Sequence, residues 1–76
     1  MRVGTRVRVI DVSSDSMRLF SKYKRRVPGL TCACNFHEAT ILRVTDVLTP
    51  DIVLVQVENR PSMLSIIYTK DLKKVQ

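Results

Sequence analysis

With 76 residues the chain holds one domain, residues 1–76, and a domain this small buries only about 60% of the surface its unfolded chain exposes, which leaves little room for a deep pocket. A hydrophobic content of 45% supports a core and excludes a disordered chain, and no apolar run approaches the roughly 18 residues of a membrane span. The net charge of +6 is lopsided: up to residue 26, eight bases (Arg2, Arg6, Arg8, Arg18, Lys22, Lys24, Arg25, Arg26) face only Asp11 and Asp15, while from residue 27 onward five bases balance five acids. This asymmetry predicts an anionic partner.

The opening MRVGTRVRVI alternates charge with valine. It lacks the continuous apolar segment of a signal peptide, so a cytoplasmic or intravirion location is expected. Val3, Val7 and Val9 alternate with Arg6, Arg8 and Ile10. β-Branched residues at period two predict a strand over roughly residues 5 to 12, one face valine and the other partly arginine. DVSSDS follows, a cluster of loop formers in which Ser14, Asp15 or Ser16 is expected to cap a short helix through MRLFSKYKRR. Met17, Phe20 and Lys24 fall on one side of that helix, with Tyr23 adjacent. The pattern covers barely two turns, so a helical turn inside a long loop is the expectation, and no helix longer than about three turns. Val27-Pro28-Gly29 stops it, with proline and glycine placed for a type II turn.

GLTCACNF alternates again: Leu30, Cys32, Cys34 and Phe36 share one predicted strand face, Thr31, Ala33, Asn35 and His37 the other. EATILRVTDV and DIVLVQVEN are two further β-rich runs, joined by a turn from Leu48 to Asp51. Val53, Val55 and Val57 form an inward face, and Ile52 and Leu54 make the opposite face unusually apolar. NRPS breaks the pattern, and MLSIIYTKDLKKV supplies a last strand, a turn and a tail. Five or so short strands with two glycines and no long helix predict an all-β fold, a small closed five-stranded barrel with a long basic loop after strand 1.

The run ATILRV, a turn, IVLVQVEN and then SIIYTKDLKKV resembles the end of SH3-like small barrels. The first strand followed by a long loop, residues 13 to 29, is similar to their arrangement as well. The resemblance implies that a helical turn at TKDL links the fourth and fifth strands or closes the sheet. It does not extend to polyproline-binding SH3 domains, whose aromatic groove and acidic long loop contrast with four aromatics and a basic loop here. Nor does it extend to the KOW motif, since NFHEATILRV lacks the glycines of that hairpin.

Cys32-x-Cys34-x-x-His37 is the one metal-like spacing. Structural zinc takes four ligands and only three are at hand, so no metal and no cofactor is expected. Extended strand neighbours two apart lie roughly 6.5 Å apart at Cα. Both cysteines are therefore expected to be free and buried, packing as small hydrophobes rather than bridging. No catalytic residues are predicted: His37 is the only histidine, and no nucleophile motif or glycine-rich phosphate loop is present. The protein is expected not to be an enzyme.

Basic and aromatic residues interleave in MRLFSKYKRR. Phe20 is expected to plug an end of the barrel, which leaves Tyr23 as the better candidate to stack on a nucleobase. The predicted binding surface comprises Arg6, Arg8, Arg18, Lys22, Tyr23, Lys24, Arg25 and Arg26. The expected role is a small basic binding module without catalysis, contacting nucleic acid by phosphate neutralisation. The alternative is a protein-interaction module, such as a small viral or accessory protein that docks onto a larger acidic protein. No membrane partner is expected.

Overall fold

Valine placement organises the sheet. Val7 and Val9 on β1 (Arg6–Val9), Val44 on β2 (Leu42–Thr49), and Val53, Val55 and Val57 on β3 (Ile52–Val57) are all buried. Alternation at period two aims them at one face, where they meet Leu42, Ile67 and Leu72 in a single core. The computed structural model describes residues 1–75. Its remaining strands are β4 (Arg60–Tyr68) and β5 (Leu72–Lys74), linked by a 3-10 turn at Thr69–Asp71. All neighbouring strands run antiparallel, in the order β4-β3-β2-β1-β5.

The fold is all-β apart from one helix, as the strand-rich sequence predicts, but the sheet is open. β4 and β5 stand at its two ends. The closed barrel expected from the sequence is not formed, and α1 (Ser14–Tyr23) packs against the edge strand β4. The second half of β4 is in consequence buried from both sides, at Ser65, Ile66 and Ile67. Ile67 points into the main core, while its neighbour Ile66 lies outside that cluster and is just as buried. Leu54, opposite Ile66 across β3–β4, is thereby half-covered.

Five strands form, but not the five read from alternation. β1 is shorter than residues 5 to 12, and Val3 is 63% exposed rather than part of the valine face. The run from Leu30 to Phe36 is not a strand. Leu30 makes one parallel bridge to Leu64, and the chain then turns through the 3-10 segment Ala33–Asn35. Alternation in this run has no partner strand to pair with. The fifth strand is β5, in the segment read as a tail; Val9 lies opposite Leu72, and Arg8 opposite Lys73. β4 begins at Arg60, so it passes through Pro61, whose missing N–H is tolerated on an edge strand.

Cys32 and Cys34 are joined as a disulfide, which corrects the expectation of free thiols. The turn draws their Cα atoms to 5.2 Å, inside the range a disulfide spans and shorter than an extended strand allows. Cys32 is buried and Cys34 exposed, so the two do not share an inward face. Phe36, not Phe20, is the aromatic packed against the main core.

Candidate functional site

The helix that carries the basic residues starts at Ser13, one residue before the caps predicted. Its hydroxyl accepts from Ser16 N at 3.3 Å, satisfying one of the free amides of the first turn. Leu19 and Ser16 are the buried residues of the helix, so this face docks on the sheet. Asp71, from the turn between β4 and β5, anchors this end. Its Oδ2 accepts from Ser13 N at 3.1 Å, Ser13 Oγ at 2.7 Å and Ser16 Oγ at 2.6 Å. Ser16 Oγ accepts in turn from Tyr68 N at 3.1 Å. Burial pushes the Asp71 carboxyl up, but the hydrogen bonds from Ser16 and Ser13 and the nearby Lys70 charge outweigh it. The net result lies below the ordinary 3.8. Asp15 is held below its usual range chiefly by Lys70, whose Nζ donates to it at 2.6 Å.

The other end of α1 is built differently. Lys24 N donates to Phe20 O at 2.9 Å, and Arg26 N and Val27 N donate to Tyr23 O at 2.9 and 3.1 Å, so the basic residues wrap the last turn. There they face the partial negative charge of the helix carboxyl end. Leu30 N then donates to Val27 O at 3.2 Å, with Gly29 at φ +79°, closing the turn read from Pro28-Gly29. Lys22, Lys24, Arg25 and Arg26 are exposed. No carboxylate lies within ion-pair distance of them among the described residues. Lys22 Nζ sits 5.4 Å and the Arg26 guanidinium 5.9 Å from the centre of the half-buried Tyr23 ring. Tyr23 therefore gathers two of the cations about itself.

The eight predicted surface residues thus divide. Lys22, Tyr23, Lys24, Arg25 and Arg26 come together at the end of α1. Arg6 and Arg18 are engaged within the fold. Arg6 Nε donates to Glu58 Oε2 at 2.9 Å and its Nη2 to Oε1 at 3.3 Å, while Arg43 donates to the same carboxylate at 3.3 Å. Arg6 and Arg43 are opposite one another across β1–β2, and Glu58 relieves that like-charge pairing. The hydrogen bond from Arg6, with that from Arg43, holds the Glu58 carboxyl below its ordinary value. Arg18 lies 3.6 Å from Asp15. Arg8 is on the sheet, three strands from β4, beside Lys73 in a shallow groove that also contains Ile10, Glu38 and Ala39.

Lys73 is the basic neighbour that sequence reasoning passed over. Its signal was the KDLKK run, but only the β1–β5 register places it opposite Arg8. Among the described residues, no three His, Cys, Asp or Glu side chains gather as metal ligands, and His37 is exposed. Among those residues, too, no helix is long and apolar enough to cross a membrane. No family, no curated protein and no solved structure matches the chain.

Proposed function

We propose that the protein is a small basic binding module, SH3-like in plan, that contacts nucleic acid through the C-terminal end of α1. The observation that carries this reading is the cluster of Lys22, Lys24, Arg25 and Arg26 around Tyr23, exposed and without acidic partners among the described residues. Unpaired bases keep their full attraction for phosphate, and bases of this kind bind without strong sequence preference. Arg8 and Lys73 form a second basic pair, three strands away from β4, in a groove that also contains Glu38. A 3-10 turn precedes β5, as the resemblance to SH3-like barrels implies, although the sheet stays open. The role is binding without catalysis, in the cytoplasm.

Titration of random duplex and single-stranded DNA and RNA at low and moderate salt tests the reading. Binding should weaken linearly in log salt. Changing Lys22, Lys24, Arg25 and Arg26 together to glutamine should reduce that slope by about 0.9 for each duplex phosphate that is no longer neutralised. Equal binding by the parent and the quadruple variant would reduce the cluster to a solvated face.

A second reading has its own observation. Val47 and Leu48, near the β2–β3 turn, are 36% and 45% exposed, and apolar residues of that kind suit a protein surface rather than phosphate. Docking onto an acidic protein would use them together with the bases. Capture of one acidic protein after nuclease treatment, with the loss concentrated at single arginines, would favour it.

A further inference from the structure

Beside the disulfide lies a third sulfur. Met17 Sδ, from the first half of α1, is 3.5 Å from Cys32 Sγ, and Cys34 Sγ is bonded to that same Cys32 Sγ. Met17 is 41% exposed and Cys34 is exposed, so the sulfurs meet at the surface, where an ion in solution has access. They come from two separate elements, the helix and the 3-10 turn.

We propose that the reduced protein binds one soft monovalent metal ion, Cu(I) by chemical class, through Cys32 Sγ, Cys34 Sγ and Met17 Sδ. Thiolate and thioether sulfurs select soft ions, and three of them without imidazole or carboxylate disfavour zinc, which takes four ligands in closed sites. Metal–sulfur bonds of about 2.3 Å in a trigonal arrangement hold sulfurs about 4 Å apart. The Met17–Cys32 separation of 3.5 Å is already near that value. Opening the disulfide lets the exposed Cys34 sulfur swing to the same distance, with the backbone turn left in place.

The disulfide must first be reduced, as the cytoplasmic location proposed above allows. A thiol reductant of the glutathione class delivers two electrons and two protons to the Sγ–Sγ bond, breaking it to two thiols while the reductant becomes its own disulfide. A reducing cytoplasm keeps such pairs as thiols. The cation then replaces both thiol protons, which pass to solvent, so affinity rises with pH. The bound ion links α1 to the turn that follows it, and an ion that binds only the folded protein raises its melting temperature.

The experiment is an anaerobic titration of the reduced full chain with Cu(I) against a chromophoric Cu(I) chelator. The expected result is one ion per chain, loss of both titratable thiols, a raised melting temperature and three sulfur neighbours by X-ray absorption. Met17→Leu, at an exposed position, should keep the fold and both thiols. Its Cu(I) affinity should fall at least about tenfold, since even outer-shell partners of metal ligands are worth about 10–100-fold. Cys34→Ser should abolish binding. Equal affinity of Met17→Leu and the parent, a two-sulfur coordination shell, or displacement of Cu(I) by an equal concentration of Zn(II) would each overturn the proposal. So would an affinity no higher than that of a Cys-Ala-Cys peptide.

Discussion

At the N-terminal end of α1 the charged groups close on one another: Asp71 accepts from Ser13 and Ser16, and Asp15 from Lys70. Toward the other end, Lys22, Lys24, Arg25 and Arg26 have no carboxylate near them among the described residues. One end of the helix is fastened to the fold by polar chemistry, and the other presents polar chemistry to the outside. The difference teaches that net charge alone does not locate a binding surface. Arg6 and Arg18 count toward the same excess of +6 as Arg25 does, yet both are paired with carboxylates of this chain, Glu58 and Asp15.

The largest effect should come from breaking the fastened end. Asp71→Ala removes a buried acceptor and leaves the Ser13 and Ser16 donors searching for partners. Hydrogen bonds to a charged group and stranded buried donors together predict a loss of about 3 kcal/mol, measured by urea denaturation. A loss no larger than that of an exposed substitution would show that Asp71 does not hold the helix.

Acid should reproduce part of that loss without mutation. The folded-state value of Asp71 lies below 3.8. Its contribution is therefore complete above the unfolded value and disappears as pH falls through the lower folded one. Asp15 and Glu58 are shifted in the same direction, so their smaller losses fall in the same window. Melting temperatures should decline below about pH 4, and the decline should be shallower in Asp71→Asn. Parallel declines in the two proteins would remove Asp71 from the account.

Ser16→Ala comes next. Ser16 Oγ both donates to Asp71 and accepts from Tyr68 N, and Asp71 keeps its two bonds from Ser13. About 1–2 kcal/mol is expected. The smallest effect on stability belongs to the presented end. With Lys22, Lys24, Arg25 and Arg26 all glutamine, each position should change stability by no more than about 0.5 kcal/mol, even as nucleic-acid binding falls. A collapse of the fold in that variant would mean the bases are structural after all.

Much of this contrast is legible in the sequence, but only on the presented end. The run from Lys22 to Arg26 and the Pro28-Gly29 turn are local, so composition and turn chemistry reveal them. The valines of β3 are legible for the same reason: each neighbour two residues away repeats the signal. The fastened end is not legible, because Ser13 and Asp71 stand 58 positions apart and neither residue type marks a partner. The Leu30–Phe36 run misleads because alternation of small residues is also compatible with a tight turn, and a strand needs a partner that no local pattern supplies. β5 is invisible to periodicity from the opposite cause, and only the resemblance places a strand after TKDL: three residues are too few to show a period, and pairing with β1 alone defines them.

The sheet order also governs the sequence of events in folding. β2, β3 and β4 join chain neighbours through short turns, with low loop-closure entropy. β1 reaches β2 only across the long α1 segment and borders β5 on its other side, and the bonds that fasten the head of α1 to the fold wait on Asp71. The first third of the chain, which carries the whole charge excess, finds part of its native contacts on β2 and β4 and completes them only once residues 71–74 are in place. Pulse-labelled amide exchange should show protection in β3 ahead of β1 and α1, and simultaneous protection would contradict it. Until β5 is in place, the N-terminal bases stand on a segment whose contacts are incomplete, free to touch polyanions before the fold is finished.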